Sequence, residues 1–184
     1  HVLAHPPQAL APDVRRKARE AWSVSLAAVG MARAAGVRIG AGTDSGGPCI
    51  PHNSLARELE LLVAAGLTPA EVLASAFWPG PLTLIGKPQL SLAWTAGVAD
   101  AVALRMPLHP WMLQLVAQVG PLAATGTQVP GQLPPTRLSS CDSSAVSIGL
   151  DGGELSGGAA STVVDLRSGV EVVREGAIPA AEVL

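Results

Sequence analysis

Small and apolar positions recur at helical spacing early in the chain and at strand spacing late in it. Val14, Ala18, Trp22, Ser25, Val29 and Ala32 share one helical face. Pro12-Asp13 offers a start and Gly36 a terminating glycine, so a helix is predicted over 13–35. Val37–Ala41 then reads as a short strand running into the glycine-rich loop Gly42–Gly47. Leu55, Leu59, Leu62 and Val63 predict a second amphipathic helix, closed by Gly66. Thr68-Pro69-Ala70-Glu71 opens a third. Thr68 is the N-cap, Pro69 takes the first helical position, and Glu71 completes a capping box.

The pattern changes at Phe77. Phe77-Trp78-Pro79-Gly80-Pro81 stops the preceding helix, and Leu82–Ile85 reads as a strand. Residues 86–100 read as a loop anchored by Trp94. Ala101–Leu104 is a buried-type strand ending at Arg105. His109-Pro110 precedes a helix marked by Met112, Leu115, Val116 and Val119, which Gly120-Pro121 ends. Leu122–Thr125 and Val146–Leu150 are read as further strands, separated by a Pro/Ser-rich loop at 132–144. Two β-branched runs, Thr162–Leu166 and Val170–Val173, flank Ser168-Gly169 and predict a hairpin. Pro179–Leu184 reads as a final helical turn. The expected fold is α/β: a helical N-terminal segment with one strand, then a twisted mixed sheet with helices.

Composition narrows the function classes. The 184 residues allow one ordinary domain or two small pieces. Net charge is −2, so no global basic surface points to nucleic acid. Arg15, Arg16, Lys17 and Arg19 read as a solvated helix face. One Phe, four Trp and no Tyr leave few platforms for stacking bases. Cys49 and Cys141 form no CxxC pair, which fits a reducing, cytoplasmic setting. No apolar run approaches the roughly 20 residues that a membrane helix needs. The chain opens at His1 rather than a methionine, which points to a partial or trimmed start.

Two places carry candidate chemistry. At the hairpin, Ser161 and Thr162 lie at one edge and Arg174 near the same edge. Hydroxyls can approach a phosphate closely, and a guanidinium can grip it with two parallel bonds. The plain reading is a solvent-facing arginine on an ordinary hairpin. In the Gly42–Gly47 loop, Asp44 follows a predicted strand, where α/β barrels place catalytic groups. Its plain reading is a loop acid that caps a turn.

Residues 20–76 resemble the C-terminal end of an amidohydrolase-superfamily barrel. The carrying stretches are Ala34–Ser45, then His52, then Arg57–Leu73. That resemblance implies a metal, normally zinc, held in part by Asp44, and hydrolysis of C–N bonds. The remaining metal ligands of that superfamily have no counterpart here, and a catalytic zinc requires about three protein ligands.

Residues 77–184 resemble the threonylcarbamoyl-AMP synthases of the Sua5/YrdC/YciO type. Six ordered blocks carry the likeness: Phe77–Ile85, Ala103–Pro110, Gly120–Thr125, Leu150–Gly153, Ser161–Leu166 and Val173–Ile178. The resemblance implies a partial YrdC-like twisted mixed sheet lining a cleft. It implies condensation of L-threonine, bicarbonate and ATP, with Mg as a possible companion of the nucleotide. The product serves tRNA modification, so RNA or tRNA-modification proteins are implied partners and no membrane is. Arg105, Thr125, Ser161, Thr162 and Arg174 fall on positions associated with the nucleotide and its phosphates. Where the family carries Ser-Ala-Asn-x-Ser-Gly, this chain has Gly126–Gly131. The family's N-terminal Lys-x-Arg and Pro-Thr-Glu-Thr segments have no counterpart. The chain therefore reads as composite, with an amidohydrolase-like piece over 1–76 and a partial YrdC-like domain over 77–184. A third reading is a non-catalytic nucleotide or RNA binder.

Overall fold

The computed structural model describes residues 11–41, 55–88, 100–126, 134–141 and 146–183. Helix α1 spans Pro12–Ala34 and ends at Gly36, whose φ of 75° lies in the left-handed region. Helix α2 spans Leu55–Ala64. Helix α3 spans Pro69–Phe77 and carries the predicted capping box. The Thr68 hydroxyl accepts from the Glu71 amide at 3.2 Å, and the Glu71 carboxylate accepts from the Thr68 amide at 2.7 Å. Arg33 of α1 donates to the same carboxylate at 3.2 Å, which ties the first helix to the third. These bonds hold the Glu71 carboxyl below its ordinary range, those from Thr68 first and the Arg33 bond after them.

Four strands form one mixed sheet in the order β2-β1-β3-β4. They are β1 Leu82–Gly86, β2 Val102–Leu104, β3 Thr162–Asp165 and β4 Glu171–Arg174. β1 pairs parallel with β3, while β1–β2 and β3–β4 are antiparallel. Helix α4, Pro110–Val119, follows β2, and the short α5, Ala180–Val183, follows β4. The predicted hairpin forms, with Gly169 in its turn.

Strand alternation decides where the core lies. Leu82, Leu84, Thr162 and Val164 are buried and point to one face. Against them pack Leu59 and Leu62 of α2, Val72 and Leu73 of α3, Ile178, and Val183 of α5. One apolar cluster therefore crosses the 76/77 boundary and joins the helices before it to the sheet after it. Thr83, Ile85, Val163 and Asp165 alternate onto the opposite face and stay partly open.

Three predicted strands do not form. Val37–Ala41, Leu122–Thr125 and Val146–Leu150 pair with no strand among the described residues. Val37, Leu122, Val146, Ile148 and Leu150 are exposed instead. A short apolar run becomes a strand only where a neighbour accepts its backbone bonds. No helix among the described residues is long and apolar enough to cross a membrane.

Candidate anion site at one end of the sheet

Strand direction gathers the predicted arginines and hydroxyls. β1 and β3 begin at the end where β2 and β4 finish. Arg105 leaves β2, Ser161 and Thr162 enter β3, and Arg174 closes β4, all at that end. The turn before β1 supplies its floor. Trp78 Nε1 donates to the Leu82 carbonyl at 2.8 Å, and the Thr162 amide donates to the Pro81 carbonyl at 2.9 Å.

Each arginine is anchored by part of its guanidinium. Arg105 Nε donates to the Gly80 carbonyl at 3.2 Å. The Gly80 amide returns a bond to the Met106 carbonyl at 2.8 Å, so the turn and the exit of β2 are locked together. Arg174 donates to the Ser161 carbonyl from Nη2 at 2.8 Å and from Nε at 3.3 Å. Its Nη2 also reaches the Ser161 hydroxyl at 3.3 Å. Among the described residues no carboxylate pairs with either guanidinium, and neither Nη of Arg105 nor Nη1 of Arg174 has a bond. A guanidinium has five N–H donors and keeps its charge, so both retain free donors and an unneutralised positive charge.

The two hydroxyls differ. Thr162 is wholly buried. Its Oγ1 donates to the Ile178 carbonyl at 2.6 Å and accepts from the Gly176 and Ile178 amides, each at 3.0 Å. Every bonding position of that oxygen is taken by backbone, so Thr162 fastens the 176–178 segment beneath the site. Gly176 permits the approach, since a Cβ there would collide with the Ala160 carbonyl and the Ser161 backbone. Ser161 is 8% exposed, and its hydroxyl sits between Arg174 and the Thr83 hydroxyl, 2.9 Å away. Thr83 was not among the predicted residues. Its signal is the alternation of β1, which sends Leu82 and Leu84 into the core and Thr83 to the other face.

Among the described residues, Thr125 makes no bond that would fix its place relative to the arginines. It lies in an exposed stretch without regular structure, and among the described residues no hydrogen bond links it to Arg105, Ser161 or Arg174. Asp44, His52, Cys49 and most of the Gly126–Gly131 segment lie outside the described residues. Among the described residues, no three His, Cys, Asp or Glu side chains are grouped as a metal site requires.

The opposite end of the sheet behaves otherwise. Arg167 donates to Asp165 through Nη2 at 2.7 Å and to Asp100 through Nη1 at 3.2 Å. Bonds from Arg167 hold the Asp165 carboxyl below its ordinary range, and the pairing raises the guanidinium in turn.

Among the described residues, cavities lie beside α4. One of about 220 Å³ has Arg105 in its wall, with Met106, Pro107 and α4. A larger one, about 640 Å³, is lined by Trp111, Met112, Leu115, Leu138, Leu150 and Leu155 among others. It contains none of the predicted residues.

The profile of the Sua5/YciO/YrdC family, described as "Telomere recombination", matches residues 41–176. The chain belongs to this family. The match begins upstream of Phe77 and takes in much of the stretch that resembles an amidohydrolase. The threonylcarbamoyl-AMP synthase of Pyrococcus abyssi is 34% identical over 148 residues, covering 77% of this chain and 44% of that one. The Bacillus subtilis threonylcarbamoyl-AMP synthase is 36% identical over 140 residues, covering 72% and 40%. A solved double variant of P. abyssi Sua5 superposes with a TM-score of 0.55 at 35% identity, over 64% of this chain and 36% of that one. P. abyssi Sua5 complexed with L-threonine gives a TM-score of 0.50 at 34% identity. The chain thus spans about half or less of the length of these relatives. Membership accounts for the mixed sheet and for the order of the six sequence blocks.

Proposed function

We propose that this chain carries the phosphate-binding part of an L-threonylcarbamoyladenylate synthase site. In that reaction threonine and bicarbonate form a carbamate. A carbamate oxygen attacks the α-phosphorus of ATP, the new P–O bond forms, and pyrophosphate leaves with the broken one. Little covalent work falls to the protein. It must hold three reactants together and neutralise phosphate charge. The observation that supports this reading is the pair of guanidiniums at one sheet end, held through neutral oxygens with donors to spare. Arg105 leaves one outer strand and Arg174 ends the other, so a triphosphate lying across this end would meet a positive charge on each side that no carboxylate among the described residues neutralises. Each charge-assisted bond contributes about 1.5–3 kcal/mol.

Roles follow from position. Arg105 and Arg174 grip phosphate oxygens, and Ser161 adds a hydroxyl donor. Thr162 supports Ser161 from below rather than touching ligand. Thr125 contributes only if its exposed stretch closes over the nucleotide. Mg would accompany the triphosphate as part of the substrate. The product's use in tRNA modification gives tRNA-modification proteins as partners and the cytoplasm as the setting.

The test is release of pyrophosphate from ATP by the purified chain. It should require both L-threonine and bicarbonate and fall on Arg174→Gln. A flat baseline at high protein concentration, with ATP still bound, would leave a nucleotide binder without turnover. The hydrolase reading rests on Asp44 and predicts stoichiometric zinc after purification that Asp44→Ala removes.

A further inference from the structure

Thr83 carries a hydroxyl that the core does not need. Its strand neighbours Leu82 and Leu84 are 0% and 5% exposed and face the helices, while Thr83 stands on the other face. Its Oγ1 meets Ser161 Oγ at 2.9 Å across 78 positions of sequence. Ser161 Oγ also lies within reach of Arg174 Nη2 at 3.3 Å.

Counting protons defines what this trio offers. The two hydroxyls own two protons. One lies within the Thr83–Ser161 bond, whichever oxygen donates it. Arg174 has no acceptor capacity, so its N–H occupies a lone pair of Ser161. One hydroxyl proton therefore remains without an acceptor among the described groups: on Ser161, beside the guanidinium, when Thr83 donates, and on Thr83 when Ser161 does. Ser161 is nearly buried, so neighbours rather than bulk water set its direction.

We propose that Thr83 is a positioning residue: it orders the Ser161 hydroxyl so that the pair presents a single donor to a phosphate oxygen held by Arg174. This rests on the nucleotide reading above. The hydroxyl, and not the bulk of the side chain, carries the role. Valine at this position keeps the shape and the strand preference but leaves Ser161 without its partner.

The test is calorimetric titration of ATP into the 184-residue chain and its variants, with adenosine as the phosphate-free comparison. Thr83→Val should weaken ATP about tenfold, the scale of one lost bond to a charged group. It should leave adenosine binding and the melting temperature close to those of the native chain. Thr83→Ser should return ATP affinity to within about threefold of native, a difference smaller than one such bond. Adding Thr83→Val to Ser161→Ala should cause no further loss, because the two act through one hydroxyl. Native ATP affinity in Thr83→Val overturns the proposal, as does equal weakness in Thr83→Ser, or losses that add in the double variant. Should the valine variant melt early, Thr83→Ala takes its place in the same cycle. If Arg174→Gln loses ATP while Thr83→Val does not, only the role of Thr83 falls. If the native chain binds no ATP, the nucleotide reading falls with it.

Discussion

One small sheet carries arginines at both ends, and the ends treat them in opposite ways. Arg167 lies between Asp165 and Asp100, its charge met by two carboxylates. Arg105 and Arg174 are fixed by the Gly80 carbonyl and by Ser161, groups that orient a guanidinium without cancelling its charge. The first arrangement neutralises its guanidinium; the second leaves positive charge unpaired by any carboxylate among the described residues. The difference lies in the partners: carboxylates hold Arg167, and neutral oxygens hold Arg105 and Arg174.

The largest expected effect concerns what lies beneath the open end. Thr162→Val removes the oxygen that satisfies the Gly176 amide and both the amide and carbonyl of buried Ile178. Buried groups left unpaired cost about 1–3 kcal/mol each before relaxation. A loss of about 2–4 kcal/mol in unfolding free energy is expected, read by urea denaturation. A near-native midpoint would show that this hydroxyl is not the fastener described here.

Next comes the charge itself. Arg174→Gln should weaken ATP at least about tenfold, the lower range for a lost charge-assisted bond. Arg105→Gln should weaken it as well, by less, because its single anchor to Gly80 leaves it freer to move. Raising salt should reduce the native affinity and narrow the gap to both variants.

Smaller effects belong to the paired acids. Glu71 and Asp165 both have folded-state pKa values below the ordinary ones. A depressed acid contributes stability that is fully present above its unfolded pKa and is lost as pH falls through its folded pKa. Unfolding midpoints should therefore drop through and below the ordinary carboxylate range, and Asp165→Asn should flatten that acid limb. Glu71→Gln is expected to do least. Glutamine still serves the capping box, and only the exposed Arg33 pairing is lost.

Local chemistry was readable wherever the deciding partner lay nearby. The Thr68/Glu71 box, the turn at Gly169 and the glycines closing three helices at Gly36, Gly66 and Gly120 are contacts within a few positions. β1 and β2 were readable from short apolar runs, but the same kind of run at 122–125 and 146–150 stayed unpaired. Nothing within those runs tells whether another strand will meet them. The site divides the same way. Arg105, Ser161 and Arg174 were indicated by their ordered blocks. The backbone enclosure of Thr162 comes from 16 positions away, and the Thr83–Ser161 contact from 78. The Asp165–Arg167 pair, two apart on one face, carried a local signal that period-two counting would have caught.

The decisive measurement is one ATP titration run in parallel on the native chain, Arg174→Gln and Arg167→Gln. The expected result is binding by the native chain, at least about tenfold loss in Arg174→Gln, and less than about twofold change in Arg167→Gln. Equal losses in the two variants, or no binding by the native chain, would contradict the assignment of the open sheet end as the anion site.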